Sequence, residues 1–362
     1  MSADAEIDPE AAPPAGEAGA DAPISVVIVT FESADAVGRS LPAIVAELRE
    51  GDELIVCDND SRDDTLARVA ELAPAARVIE IGGNPGFGAA CNAGAAVASN
   101  PLLLFLNPDA VVQPGFRDAI VLPLAEDRGW DAWQGLVTSG NGSEVNTWGG
   151  VVHFTGIAWA GGADSPIAGA PSEAREITFA SGGCLLTSRE VWDAIGGFSP
   201  PYFLYHEDTD LGLRMWLAGR RVGLEPRARV EHEYEFDKGK SKWFYLEANR
   251  WATILRTYPG RLLLALAPAL LATEFALHVV AALAGWLPEK LRADLAVVRA
   301  LPRLLRERGL IQASARISPR AFAELLAPDL DSSYLGRAAG SGALRALLRS
   351  YWRVALALSG RA

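Results

Sequence analysis

The chain is poor in cysteine: Cys57, Cys91 and Cys184 are the only three among 362 residues. They are widely spaced and form no CxxC pair, which argues against a cysteine zinc site and against a disulfide framework. Each lies among small or aliphatic residues, the setting of a buried thiol acting as a small apolar group. Such usage fits a reducing cytoplasm. An excess of positive charge is also lacking. The formal net charge is −12, so no nucleic-acid partner is expected. The glycines at 82–94 do not have the GxGxxG spacing of a dinucleotide fold, and no P-loop Lys-Ser/Thr follows them. The N-terminal segment has neither the basic start nor the apolar run of a signal peptide, so export by that route is not expected. Residues 1–22 instead hold six acids and no base amid Ala, Pro and Gly, the composition of a disordered acidic tail.

Beyond that tail the chain is rich in apolar residues, half of the total, enough for a substantial core. "ISVVIVT" (24–30), "ELIVCDN" (53–59), "ARVIEI" (76–81) and "PLLLFLN" (101–107) read as short buried strands. Helical stretches around 34–49, 63–73 and 86–99 separate them. Alternation at this spacing predicts a doubly wound, mostly parallel sheet with flanking helices. Ligands of such sheets bind beyond the carboxyl ends of the strands, where Thr30, Glu32, Asp58, Asn59, Asn84 and Asp109 converge. Residues 130–185, richer in Gly, Trp and β-formers, predict more irregular and partly antiparallel structure. "RVGLEPRARVEHEY" (221–234) reads as two short strands, and the chain is helical from 243 onward.

Three clusters could carry chemistry. In "VCDNDSRDDT" (56–65) Asp58 could accept hydrogen bonds from a ribose hydroxyl or a base N–H. Asn59 and Ser61 could hold the turn, and Asp63 and Asp64 read as helix caps. In "GGNPGFGAACNAG" (82–94) Asn84 is either a ligand or part of a tight turn. In "FLNPDAVV" (105–112) Asp109 stands just past a buried strand. It is either a carboxylate for Mg²⁺ or Mn²⁺ bridging two phosphates or the Pro-Asp of a type I turn. Further on, "FLYHEDTDLGLR" (203–214) packs five ionisable side chains into an apolar frame. Asp210 and Arg214, four apart, predict an ion pair on one helix face. Partial desolvation would raise the basicity of Asp208. Glu207 orients a bound substrate or holds the motif's geometry, and His206 reads as making local hydrogen bonds. Arg214, Lys238, Lys240 and Lys242 are candidates to meet phosphate. Trp148, Tyr202 and Tyr205 are candidate stacking platforms for a ligand ring.

Taken in order, "ISVVIVTFES", "IVCDNDSRDDT", "NPGFGAACNAG", "LFLNPDA", "SGGCLLTSREVWDAIGGF" and "FLYHEDTDLGLR" resemble the inverting GT-A glycosyltransferases of family 2. Bacterial rhamnosyltransferases and galactofuranosyltransferases are the nearest in pattern. The resemblance covers about residues 24–260. It implies an α/β GT-A domain over 23–260 followed by a helical extension over 261–362. It also implies transfer of a sugar from a nucleoside diphosphate donor, with inversion, to a hydroxyl of a glycolipid or polysaccharide precursor. Thr30 and Glu32 match positions that touch the nucleotide, Asp58 the residue that binds base or ribose, and Asn84 the loop over the nucleoside. Asp109 matches the last acid of the DxD metal motif, whose first acid is here Asn107; that departure removes a charge. Asp208 matches the general base, and His232 a histidine completing the metal and pyrophosphate site. The implied cofactor is Mg²⁺ or Mn²⁺.

Residues 262–287 are apolar and long enough to span a bilayer. Pro268, Glu274 and His278 count against a clean span, and a helix hairpin lying in the interface fits as well. The basic amphipathic stretch after it could lie on anionic lipid. These features predict a cytoplasmic protein in peripheral contact with the inner face of the cell membrane. Two rivals stand beside this reading. One is a Rossmann-type nucleotide-cofactor enzyme, against which the missing GxGxxG argues. The other is a catalytically silent, membrane-associated glycan-binding scaffold, which the loss of the acid at 107 leaves open.

Overall fold

The computed structural model describes residues 19–232, 239–331 and 342–360. Most of the acidic tail and Lys238 therefore lie outside the described residues. The first half alternates as the sequence predicts: β1 Ile24–Thr30, α1 Ala34–Glu47, β2 Glu53–Asp58, α2 Thr65–Leu72, β3 Arg77–Glu80, α3 Phe87–Val97 and β4 Leu102–Leu106. A two-residue strand, β5 (Val111–Val112), and two short helices, α4 (Phe116–Ile120) and α5 (Leu122–Ala125), lead into the second half. There β6 Ala132–Ser139, β7 Glu144–Thr147, β8 Gly150–Val152, β9 Ala158–Ala160, β10 Arg175–Glu176 and β11 Cys184–Ser188 precede α6 Arg189–Ile195 and α7 Glu207–Leu217. After β12 (Val222–Glu231) the described chain is helical: α8 Ser241–Thr257, α9 Gly260–Ala284, α10 Leu287–Ala313, α11 Pro319–Glu324 and α12 Gly342–Leu358.

The main sheet runs β10-β12-β6-β11-β4-β1-β2-β3. From β12 to β3 all strands are parallel except the reversed β11. Every residue of β1 is buried, because helices cover both faces of the sheet, as parallel sheets require. The two-residue period of the pleat divides its side chains. Val26 and Ile28 join Val37, Leu41 and Ile44 of α1 in one core, while Val27 and Val29 join Ala90, Cys91 and Ala95 of α3 in the other. All three cysteines are buried and free. Burial alone pushes the Cys57 thiol up to about 12.

Two expectations are corrected. The stretch from 221 is one strand, not two, with its register to β6 shifting between Glu225 and Arg229. Pro226 lies within that shift. Proline has no N–H for the ladder, and a bulge removes the need for one. Residues 262–287 do not fold back within themselves either. Pro268 is accommodated inside α9, and the chain turns at Gly285, in a left-handed conformation, into α10. A third core joins the helical extension to the preceding domain: Leu213, Leu217 and Ile254 pack with Leu262, Leu266, Leu270, Phe322 and Trp352.

Helix α3 approaches the sheet closely at Gly94, where a Cβ would lie 2.5 Å from Val27 Cγ1 and 2.9 Å from Cys57 Sγ. Both neighbours are rooted in central strands and cannot retreat. Gly94→Ala is expected to lower unfolding stability by about 1–3 kcal/mol through overpacking. Gly38→Ala, in α1 with nothing near its Cβ position, is expected to leave stability unchanged or slightly raised. Chemical denaturation of the two variants checks this.

Candidate active site

The carboxyl ends of β1, β2 and β4 open into a cleft of about 1300 Å³. Its opposite wall is made by the start of α7, the β8–β9 hairpin and α8. Of the sequence-predicted residues, Glu32, Asn59, Asn84, Asn107, Asp109, Glu207, Asp208 and His232 line it. Thr30 and Asp58 stand behind its wall. Asp58 is 2 % exposed; its carboxylate accepts hydrogen bonds from Thr30 Oγ1 (2.8 Å), Ser61 Oγ (2.6 Å) and Ser61 N (2.9 Å). It thereby fixes the β2–α2 turn. Asp63 accepts from Thr65 N and Ala34 N, tying the starts of α2 and α1 together, whereas Asp64, at the N-cap of α2, makes no side-chain capping bond. Asn59 Nδ2 donates to Asn84 Oδ1 (3.3 Å) and Gly86 O (3.4 Å), and Asn84 Oδ1 accepts from Gly86 N. Glu32, with φ of 49°, takes the Arg62 N–H on its Oε1.

Pairing of β5 with the end of β12, Val111 opposite Glu231, brings residues 125 apart in sequence into one cluster. His232 Nε2 lies 3.2 Å from Asn107 Nδ2 and 3.0 Å from Asp109 Oδ1. Without a hydrogen this nitrogen accepts from the Asn107 amide; carrying one, it donates to Asp109. Adjacent ligands of one octahedral Mg²⁺-sized ion also stand about 3 Å apart. One imidazole and one carboxylate so placed fit a divalent cation of the Mg²⁺ or Mn²⁺ kind.

On the facing wall, Tyr205 and His206 are consecutive residues with positive φ, 67° and 65°. This uncommon backbone turns α7 so that its first residues face the cleft. Three contacts hold it. Asn249 Nδ2 donates to Leu204 O and Tyr205 O, each at 2.9 Å, and Phe87 N donates to Phe203 O. At Gly86 (φ 99°) a Cβ would lie 2.3 Å from Phe203 O, so only glycine permits this approach. Asn249 was not among the sequence candidates; a lone asparagine within a helix gives no signal without the tertiary contact.

Asp208 is partly accessible. Its Oδ1 accepts from Thr209 N (2.7 Å), and its Oδ2 from Gly182 N (3.4 Å). Burial raises its pKa despite these backbone N–H groups. Glu207 is buried, and its Oε2 has no hydrogen-bond partner among the described residues. Burial first, and the charge of Asp208 second, raise its pKa. Asp210 behaves oppositely. Burial works to raise its pKa, but Arg214 (2.7 Å) and Arg256 (2.5 Å) outweigh burial and hold it low. Ser199 Oγ donates to it at 2.8 Å and Tyr202 OH at 3.3 Å.

Several expectations change accordingly. Arg214 forms the predicted ion pair, but it is buried and also donates to Ile195 O and Gly197 O, which removes it from phosphate binding. Lys240 donates to Gly285 O at the end of α9. Lys242 is buried, with its ammonium 5.3 Å from the Trp243 ring. His206 Nδ1 makes no hydrogen bond among the described residues. Burial, then the charge of Arg250, pushes this imidazole down to about 4. Its local contribution is through the backbone, where its carbonyl accepts from Asp210 N. Tyr202 is packed against Asp210 and Thr253, and Trp148 lies beneath Arg175. Tyr205 alone of the three platform candidates lines the cleft, where Phe31, Trp159 and Trp243 join it. Phe31, half exposed just past β1, is the one whose sequence position offered a signal.

Comparison with known proteins agrees with this architecture. Residues 25–196 match the family model for glycosyl transferase family 2. An N-acetylglucosaminyl-diphospho-decaprenol L-rhamnosyltransferase of Mycobacterium tuberculosis (strain ATCC 25618 / H37Rv) is 28% identical over 258 residues, covering 64% of this chain and 83% of the relative. An O-antigen biosynthesis protein, RfbC, of Myxococcus xanthus is 26% identical over 217 residues, 58% of this chain and 17% of its own length. Among solved structures, GalNAc-T7 with UDP, GalNAc and Mn²⁺ superposes with a TM-score of 0.55 at 16% identity, over 68% of this chain and 50% of that one. That last likeness is one of fold. Residues 25–196 thus carry a glycosyltransferase family 2 domain, the fold is of GT-A type, and the chain is a glycosyltransferase resembling the bacterial rhamnosyltransferases.

Proposed function

We propose that this glycosyltransferase moves rhamnose, galactofuranose or another hexose from a nucleoside diphosphate sugar to a hydroxyl of a glycolipid or cell-surface polysaccharide precursor. The reaction is a single displacement with inversion, and Asp208 is the general base. One observation carries the reading. The raised-pKa carboxylate of Asp208 and the Asp109–His232 pair line the same cleft. Displacement at an anomeric carbon needs a base for the incoming hydroxyl and charge neutralisation on the departing diphosphate, and the two clusters are suited to those tasks.

Asp109 and His232 would hold the Mg²⁺ or Mn²⁺, which supplies Lewis-acid neutralisation of the diphosphate when bound. Asn107 orients His232 through its amide without adding charge. Glu32, Asn59 and Asn84 contact the nucleoside, while Thr30 and Asp58 hold the loops that present them. Asp208 accepts the proton of the acceptor hydroxyl. Its raised pKa makes it a stronger base than an ordinary aspartate. Glu207, buried beside it, limits how far both carboxyls can ionise together and orients the acceptor. The protein works in the cytoplasm at the inner face of the cell membrane. The relative from Mycobacterium is named for a decaprenol-linked acceptor, which favours a lipid-carried acceptor here too.

Asp208→Asn should lower kcat by at least about 100-fold and leave donor affinity nearly unchanged, measured by transfer assay and titration calorimetry over a nucleotide-sugar panel. Wild-type-like turnover moves the base elsewhere. Because burial raises the Asp208 pKa, the acid limb of the wild-type kcat/KM profile should fall above the ordinary aspartate range. Asp109→Ala and His232→Ala should weaken donor binding when Mn²⁺ is present and have little effect without it. Metal dependence identical to wild type in thermal-shift titrations contradicts their role as ligands.

A further inference from the structure

Helix α9 is long and apolar enough to cross a bilayer, yet most of its surface faces solvent. Leu264 (78 % exposed), Phe275 (74 %) and Leu283 (85 %) stand out with Leu271 on that surface. On the neighbouring α10, Leu291, Leu295, Val298 and Leu305 are also exposed, as are Leu347, Val354 and Leu358 on α12. Exposed apolar area of this extent marks an interaction surface.

The opposite side of α9 is fixed to the catalytic domain. Leu262, Leu266 and Leu270 are buried in the third core. Glu274, near the middle of the helix, accepts from Arg250 Nη2 (2.6 Å) and Trp251 Nε1 (2.8 Å) of α8 and from the buried Lys290 of α10. Lys290 also pairs with Glu247 (3.1 Å) and Asp294 (2.6 Å), and Asp294 with His278 (2.9 Å). The Lys290 ammonium already serves as the cation for the Glu274, His278 and Asp294 cluster. A spanning α9 would carry the Glu274 carboxylate into the hydrocarbon and separate it from Arg250. A helix lying in the interface keeps every one of these bonds.

The charges on α10 indicate which surface it meets. Arg292, Arg299 and Arg306 recur every seven residues and are exposed, forming a row beside Leu291, Val298 and Leu305. Of the acids on this helix, Asp294 turns to Lys290 and His278, Glu307 pairs with Arg256, and Glu289 lies in the first turn. An apolar stripe beside an arginine row matches acyl chains beside anionic headgroups. Leu277 of α9 and Leu246 and Trp243 of α8 also line the cleft, so α9 borders both the exposed face and the cleft.

We infer that α9, α10 and α12 form a monotopic docking face for an anionic bilayer. Helix α9 lies in the plane of the interface, and the apolar tail of a lipid-carried acceptor reaches the cleft past Leu277. This rests on the reading of the acceptor as a glycolipid.

Flotation of the purified full chain with sealed vesicles tests the inference. The vesicles are phosphatidylcholine alone or phosphatidylcholine with phosphatidylglycerol in equal parts. The chain should float with the anionic vesicles. Leu271→Ser/Phe275→Ser/Leu283→Ser should lower binding by roughly tenfold or more. Arg292→Gln/Arg299→Gln/Arg306→Gln should lower it on anionic vesicles and abolish its salt dependence. Transfer to a water-soluble acceptor should be unchanged in both variants. Cysteines introduced as Arg261→Cys and Ala284→Cys, at the two ends of α9, should both react with an impermeant thiol reagent added outside. Failure of wild type to float, wild-type-like flotation of both variants, or labelling at only one end of α9 overturns the inference. So does an apolar variant that converts a dimer to a monomer with no change on vesicles. Loss of transfer in the wild type with flotation intact would instead count against the catalytic reading.

Discussion

Asp210 has no exposed surface, yet two arginines and two hydroxyls hold it as a carboxylate. Burying an ion costs several kcal/mol unless its partners are well placed, and removing one partner costs about 3–5 kcal/mol. The four partners come from three parts of the chain. Arg214 is one turn along α7, Ser199 and Tyr202 lie in the preceding loop, and Arg256 comes from α8 and pairs in turn with Glu307 of α10. The Arg214 guanidinium also binds the carbonyls that end α6. This single carboxylate anchors the first turn of α7, which carries the proposed base Asp208.

Three acids within four residues thus have opposite fates. At Asp210 the arginines outweigh burial, whereas burial dominates at Asp208 and Glu207. The consequences for stability have opposite signs. The contribution of Asp210 is present above its unfolded pKa and is lost as pH falls through its depressed folded value. For Asp208 and Glu207 the stability is full below their unfolded pKa values and is lost as pH rises through the raised ones. The helix start is therefore under electrostatic tension near neutral pH, and the Asp210 cluster, with Asn249 bonded to the turn before it, opposes that tension. The left-handed pair at 205 and 206 is consistent with a segment held by its surroundings.

Short-range patterns were legible in the sequence. The buried runs of β1, β2 and β4, the capping by Asp63 and the Asp210–Arg214 spacing each follow from a local period or a local bond. Features that depend on distant partners were not. Arg256 and Asn249 act through contacts on α7 and its approach, which no window of sequence contains. Thr30 and Asp58 stand at strand ends as predicted, but each satisfies the other, so they support the cleft wall rather than form it. The bulge at Pro226 carries a single strand to His232, and pairing with β5 then places that histidine beside Asp109. Composition marked α9 as apolar; the burial of Leu262, Leu266 and Leu270 and the Glu274 cluster show which side is anchored.

Together these elements place Asp208, the proposed base, on one wall of the cleft and Asp109 with His232, the proposed metal ligands, on the other. Such an arrangement serves one direct displacement at the anomeric carbon. The anomeric configuration of the newly transferred sugar, read by proton NMR immediately after reaction with a defined nucleotide sugar and acceptor, tests this directly. Inversion relative to the donor is expected; retention of configuration would contradict a single displacement.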